Sequence, residues 1–365
     1  MWHKTLFFNM LGTSGNCYKT QIKDRNESLP LPCQSVFLSL FLVMVTVGLV
    51  YSTLLVLQPL SSSSQPWSKD TPLHPHSLTS HNQGETIPPY EVAYPQNYHF
   101  VLDQSLRHEA PFLVLMVPVA PGNLVSRQVI RRTWGKEGVV LGRAVRVLFL
   151  LGMPGGAGVE RQQEELKTES LEHHDLLQSD FLDSYFNLTI KTMVMLEWLS
   201  SRCPNASYAM KVDSDMFVNV HNLVSMLAAP DTPTRNYITG IVRLNSNVVR
   251  DPTSKWYIPR MVYPSSKFPP YLIGNGYIFS LDLAGKLVEA SKQVRAIYIE
   301  DAYLGMCLHY LGIALSYPPS SALFKLYPPY SNRRCFYSSV VMTLMDSVNN
   351  LQAVWRDLQR FGSPC

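Results

Sequence analysis

Tyr208-Ala209-Met210-Lys211-Val212-Asp213-Ser214-Asp215-Met216-Phe217-Val218-Asn219 is the stretch whose reading decides the fold. It reads as a strand ending at Val212, an acidic tip at Asp213 and Asp215, and a second apolar run, Met216-Phe217-Val218, that returns to a core. Residues i and i+2 of an extended segment point the same way, so the two carboxylates sit side by side at a strand end. Mg²⁺ and Mn²⁺ take oxygen ligands and complete their shells with water and substrate phosphates. The triplet is therefore a candidate metal–diphosphate site. Asp-x-Asp is also common in turns and helix caps. What sets this one apart is the apolar run on each side, between which an unpaired carboxylate is costly.

Upstream, Phe112-Leu113-Val114-Leu115-Met116-Val117-Pro118-Val119 and Val145-Arg146-Val147-Leu148-Phe149-Leu150-Leu151-Gly152 are near-continuous apolar runs, the mark of strands buried on both faces. Helical patterns follow at residues 161–172 and 188–200, the second with Met193, Leu196 and Trp198 as core packing. Strands alternating with helices predict an α/β fold with a mainly parallel sheet. Between the two strands, residues 126–135 predict a helix stopped by Gly135. It puts Arg127 and Arg131 on one face, past the C-terminal end of the first strand, where open α/β sheets bind ligands. Arginines there suit a diphosphate; a solvated basic face is the plain alternative.

Downstream, Gly274-Asn275-Gly276 precedes the strand Tyr277-Ile278-Phe279. Glycines there permit close backbone approach to a ligand, or simply a tight turn. Trp256 and Tyr257 offer a platform for a sugar ring, or core packing. Glu300 and Asp301 interrupt the apolar segment Ile297-Tyr298-Ile299 before a helix at 302–311, as catalytic acids or as its cap.

The N-terminal part sets the compartment. Residues 36–57 are uncharged and apolar, long enough to cross a bilayer, and end in Leu54-Leu55-Val56-Leu57, where a cleaved signal would end in small residues. Lys4, Lys19, Lys23 and Arg25 precede the span and no charge follows it until Lys69, which predicts a cytoplasmic tail at 1–35, a signal-anchor at 36–57 and a lumenal bulk. Residues 58–97, rich in Ser, Pro, His and Thr, read as a lumenal stem, and 98–365 as the catalytic domain. Sequons at Asn187 and Asn205 fit a lumenal domain. So does the even number of cysteines after the anchor: Cys203, Cys307, Cys335 and Cys365 allow two disulfides in three pairings, or buried free thiols. A net charge of +4 with 16% charged residues, and no basic tract, excludes a nucleic-acid binder.

Four blocks, in order over residues 98–313, resemble those of the β-1,3-glycosyltransferase family (glycosyltransferase family 31). They are Arg127-Gln128-Val129-Ile130-Arg131-Arg132-Thr133-Trp134-Gly135, the block from Asp180 through Asp183-Ser184-Tyr185-Phe186-Asn187-Leu188-Thr189 to Lys191-Thr192, the acidic triplet in Lys211-Val212-Asp213-Ser214-Asp215, and Glu300-Asp301-Ala302-Tyr303-Leu304-Gly305. Ser254-Lys255-Trp256-Tyr257-Ile258-Pro259 is similar to the galactosyl-transferring members, while the chain's end, Trp355 to Cys365, is also similar to some N-acetylglucosaminyl-transferring ones. Leu272 stands where the galactosyl-transferring members carry a cysteine, and a cysteine usual before the first strand is missing around residues 106–109, which fits loss of one disulfide.

The resemblance implies a GT-A fold (Rossmann-like), an inverting mechanism, Mn²⁺ with Mg²⁺ as its substitute, and UDP-galactose as donor. It implies transfer to the 3-hydroxyl of a terminal N-acetylglucosamine on glycoproteins or glycolipids, by a Golgi type II membrane protein compatible with a homodimer. A β-1,3-N-acetylglucosaminyltransferase is the nearest alternative. A catalytically silent lumenal lectin or chaperone is the other, against which the retained Asp213, Asp215 and Asp301 count. In this reading Asp215 and Asp213 hold the metal, and Arg127, Arg131, Trp134, Lys211 and Ser214 lie on the nucleotide-sugar side. Asp301 is the base, with Glu300 its competitor, and Trp256, Tyr257, Gly274, Asn275 and Gly276 line the donor and acceptor pocket.

Overall fold

The computed structural model describes residues 90–330 and 333–365, all within one unit, Asn82–Cys365. The expected anchor at 36–57 and most of the expected stem lie outside the described residues. Among the described residues no helix is long and apolar enough to cross a membrane.

Strand β1 (Phe100–Leu102) is followed by β2 (Leu113–Pro118) and helix α1 (Leu124–Arg132). A short β3 (Val139–Val140) precedes β4 (Arg143–Met153), α2 (Val159–His173), β5 (Leu176–Leu182) and α3 (Leu188–Arg202). Then come β6 (Tyr208–Val212), β7 (Met216–Val218), α4 (Val220–Leu227), β8 (Ile238–Arg243) and β9 (Tyr271–Ser280). Helices α5 (Asp282–Ser291), α6 (Glu300–Tyr310) and α7 (Arg333–Ser339), strand β10 (Met342–Leu344) and α8 (Val348–Leu358) complete the order.

The sheet order is β1-β5-β4-β2-β6-β9-β8, with β3 on β4. Its centre, β5-β4-β2-β6, is parallel; β1, β9 and β8 are antiparallel additions. The mainly parallel α/β expectation therefore holds at the centre. The continuous apolar runs are explained by helices on both faces. In β2, Val114 and Met116 pack into a core shared with α3, α5 and α6, whereas Leu113, Leu115 and Val117 pack into one shared with α1 and α4. That alternation is the period of two expected of a strand.

Three expectations are corrected. The folded domain begins before residue 98: Tyr94 is buried, and its hydroxyl donates to Glu197 Oε1 at 3.0 Å. The Gly274-Asn275-Gly276 segment is not a turn; it lies inside β9, where Gly276 pairs with Val212 of β6. A Cβ on Gly276 would come 2.7 Å from Met342 Sδ, so any side chain there has to displace the methionine. Finally, Cys335 and Cys365 form a disulfide, while Cys203 and Cys307 are free and buried. Burial pushes the Cys203 thiol up to about 11 and that of Cys307 up to about 12.

Candidate active site

Strand β6 is buried along its length, and its partner β2 gives it a fixed height in the sheet. The chain therefore leaves the sheet at Asp213, at the C-terminal end of the parallel strands. Asp213 N–H donates to Asn275 O at 3.0 Å and Met216 N–H to Asp213 O at 3.2 Å, which closes the tip into a turn. Strand β7 then pairs antiparallel with β10, and Met345 N–H donates to the carbonyl of Asp215 at 2.9 Å. Backbone hydrogen bonds thus fix the tip that carries both acids. The Asp213 side chain is 36% exposed, Asp215 is exposed, and Ser214 between them is half-buried.

Behind the tip lies Lys211, buried at 5% exposure. Its ammonium donates to Asp213 Oδ1 at 2.7 Å, to Glu300 Oε1 at 3.1 Å and to the carbonyl of Gly274. Burial opposes its charge, but the carboxylates of Asp213 and Glu300 hold it protonated, above the ordinary lysine range. Lys211 therefore belongs to the interior rather than to the nucleotide side.

Glu300 opens α6 from an N-cap at Ile299 and is itself buried. Its second oxygen accepts from Thr192 Oγ1 at 3.1 Å and Tyr277 OH at 3.4 Å. Burial pushes its carboxyl up to about 7, with Lys211 opposing. With both oxygens engaged inward, it has no face for a substrate hydroxyl, and the competing-base reading is corrected. Asp301, one residue on, is half-buried. Its Oδ1 accepts from the N–H of Ala302 at 2.8 Å and its Oδ2 from that of Gly274 at 3.1 Å. Burial raises its carboxyl above the usual aspartate range, while those two N–H groups oppose the shift.

Gly274 is the hinge of this arrangement. Its N–H holds Asp301 and its carbonyl holds Lys211, so one residue of β9 touches both acidic halves. An added Cβ would lie 2.7 Å from Glu300 Oε1 and 3.4 Å from Asp301 Oδ2. Gly274→Ala is expected to displace both acids and lower kcat about 100-fold, the scale of a misplacement near 1 Å, with a cooperative melt retained. Steady-state kinetics beside thermal unfolding checks this; unchanged kcat contradicts it.

The remaining expected residues divide. Trp256 is 48% exposed, so it is not core, and Lys255 Nζ stands 4.7 Å from its ring and 5.5 Å from that of Tyr185. Burial first, then the negative charge of Asp301, pushes the Tyr185 phenol up to about 12. Tyr257 is half-buried, and its carbonyl accepts from Tyr298 OH at 2.6 Å. Asn205 is exposed in a loop, its amide donating to Arg107 O at 3.0 Å; Asn187 is half-buried and donates to Leu182 O at 2.8 Å.

Arg127, Arg131 and Trp134 do not face the acids. Arg127 is 1% exposed and forms a bidentate pair with Glu169, at 2.8 and 2.6 Å, while also donating to the carbonyls of Ala120 and Pro121. Arg131 binds both oxygens of Asp175 at 2.7 Å and Glu169 at 2.7 Å, and stacks over Phe149. These guanidiniums fasten α1 to α2 and β5; breaking such a buried pair costs about 3–5 kcal/mol. Trp134 is 1% exposed and its indole N–H donates to Met216 O at 3.1 Å, so it braces the acidic tip from within the core. The nucleotide-side reading of all three is corrected.

Asp183 and Lys191 belong to one of the resembling blocks but carry no expected role in the site. Lys191 Nζ donates to Asp183 Oδ2 at 2.6 Å and Val119 O at 3.0 Å, and Asp183 Oδ2 also accepts from Gly152 N–H at 2.7 Å. The pair joins the ends of β2, β4 and β5. Burial pulls the Lys191 ammonium below the ordinary lysine range, with Asp183 opposing. The available signal was a lysine among the apolar residues of α3, where a charge needs a partner.

Residues 125–319 match the model of the family described as galactosyltransferase. Human β-1,3-galactosyltransferase 2 is 37% identical over 274 residues, 74% of this chain and 64% of the relative, so the chain spans just under two thirds of that protein's length. Human β-1,3-galactosyltransferase 5 is 42% identical over 219 residues, 60% of this chain and 69% of the relative. Mouse β-1,3-galactosyltransferase 1 is 38% identical over 268 residues, 72% of this chain and 79% of the relative. A solved galactosyltransferase, LgtC in complex with donor and acceptor sugar analogues, is 11% identical with a TM-score of 0.33, over 68% of this chain and 98% of that one. The family match covers the strand ends, the acidic tip and the start of α6 together, and the chain belongs to the galactosyltransferase family.

Proposed function

We propose that the chain is an inverting β-1,3-galactosyltransferase of GT-A architecture. It moves galactose from UDP-galactose to the 3-hydroxyl of a terminal N-acetylglucosamine, and is anchored by residues 36–57 in the Golgi membrane with its domain lumenal. The observation that carries this reading is the β9 step at Gly274, which holds an acidic tip suited to a leaving diphosphate beside a separate carboxylate suited to a nucleophile.

Asp213 and Asp215 offer hard oxygen donors, and among the described residues no group of three or more His, Cys, Asp or Glu is gathered as a metal cage. That donor set fits Mn²⁺ or Mg²⁺ whose shell is completed by diphosphate oxygens and water. When bound, the cation supplies charge neutralisation to the departing UDP. Asp301 does the work on the other side. A hydroxyl is a poor nucleophile at neutral pH, so its proton passes to an Asp301 oxygen as the hydroxyl oxygen bonds to the anomeric carbon. The carbon–phosphate-oxygen bond breaks, and its electron pair leaves with UDP. The N–H groups of Ala302 and Gly274 fix the plane of the carboxylate before the acceptor arrives. The exposed Trp256 and Tyr185 rings, both in contact with Lys255, give the acceptor ring a surface to stack on.

Only the ionised carboxylate accepts a proton, so kcat/KM falls as pH drops through the Asp301 pKa. Burial raises that value, and the acid limb is expected above the usual aspartate value of about 4. A pH–rate profile with its limb at or below that value contradicts the assignment. The reading as a whole is tested by a transfer assay of the purified chain with a panel of UDP-sugars and defined acceptors. Transfer of galactose to N-acetylglucosamine acceptors is expected. A strict preference for UDP-N-acetylglucosamine, or no transfer from any donor, overturns it.

A further inference from the structure

We propose that Lys211 is a positioning residue that couples the two halves of the site, holding the Asp213 carboxylate on one side and the first turn of α6, which carries Asp301, on the other. The inference rests on the transferase reading above and gives Lys211 no contact with the nucleotide.

An ammonium has three protons. Here three acceptors take them: Asp213 Oδ1, Glu300 Oε1 and the Gly274 carbonyl. Nothing is left over for a phosphate. The three partners come from three different elements: the tip after β6, the start of α6, and the middle of β9. Glu300 is then pinned from the far side by Thr192 and Tyr277, so the first turn of α6 is clamped between α3, β9 and the lysine. Asp301 follows Glu300 directly and is held by the N–H of the same Gly274 whose carbonyl Lys211 holds.

Stability alone does not account for such a pair. Replacing a buried ion pair with apolar or neutral groups of similar volume is often neutral or stabilising, whereas removing one partner is costly. What the pair does supply is registry between the leaving-group side and the base. It carries a second consequence. The ammonium lies 2.7 Å from Asp213 and opposes a cation there, so the site gives up some cation affinity to gain that registry.

The test uses the purified full chain and the charge-balanced double variant Lys211→Met with Glu300→Gln, which removes both members of the pair. Mn²⁺ binding without nucleotide is read by electron paramagnetic resonance, UDP binding in the presence of Mn²⁺ by calorimetry, and kcat and KM by transfer from UDP-galactose. The double variant is expected to bind Mn²⁺ at least as tightly as the wild type, to keep its UDP affinity and donor KM, and to lose about 100-fold in kcat, the scale of a misplacement near 1 Å. Glu300→Gln alone, which keeps the ammonium, is expected to show the same split in smaller measure. Weakened UDP binding in the double variant would make Lys211 a nucleotide ligand and overturn the inference. So would an unchanged kcat, or loss of a cooperative melt in both variants, which would make the pair a prop of the fold. A wild-type chain that transfers no sugar refutes the transferase reading, a result distinct from any difference between wild type and variant.

Discussion

Asp301→Asn is expected to lower transfer by about 10²–10⁴-fold, the contribution of a positioned general base. The amide keeps the size of the carboxylate and one oxygen to accept from Gly274 N–H or Ala302 N–H, so α6 should start where it does now. What disappears is the carboxylate that can take the proton of an acceptor hydroxyl, which an amide cannot do. Glu300 cannot substitute, because its oxygens are engaged by Lys211, Thr192 and Tyr277. Binding of UDP with Mn²⁺ should therefore stay near the wild-type value. Calorimetry and single-turnover transfer on the same preparation separate the two effects. Retained transfer would remove Asp301 from the mechanism.

Asp215→Ala acts on the other half. The acidic tip supplies two carboxylates, and one of them is already shared with an ammonium. Loss of the other is expected to exceed the 10–100-fold drop in metal affinity that follows loss of an outer-shell partner. UDP binding should then become insensitive to added Mn²⁺. The fold should survive, since Asp215 is held by its own backbone carbonyl through Met345 N–H and the tip is braced below by Trp134. UDP affinity that still rises normally with Mn²⁺ would refute the metal role.

The parts of this molecule that were legible in sequence are those set by local spacing. The apolar runs of β2 and β4 had to be buried on both faces, and the acidic triplet between two such runs had to sit at a strand end. Asp301 stood out because an acid in an apolar segment needs a reason. Long-range pairing was not legible. Arg127 and Arg131 looked like ligands for a diphosphate because their partners, Glu169 and Asp175, arrive from α2 and the start of β5. Trp134 looked like a pocket wall because nothing local reveals that its N–H reaches Met216. The two glycines of β9 looked like a turn, since sequence shows that a side chain is absent but not which neighbour excludes it. Lys211 is the sharpest case. The family resemblance put it on the nucleotide-sugar side, and only the packing of β9 and α6 against β6 turns it inward.

In the proposed reaction the leaving group and the base stand on opposite sides of the transferred sugar. The most direct test is the anomeric configuration and linkage of the first product formed from UDP-α-galactose and an N-acetylglucosamine acceptor, read by nuclear magnetic resonance. A β-linked galactose on the 3-hydroxyl is expected. An α-linked product, or a linkage to another hydroxyl, would contradict it.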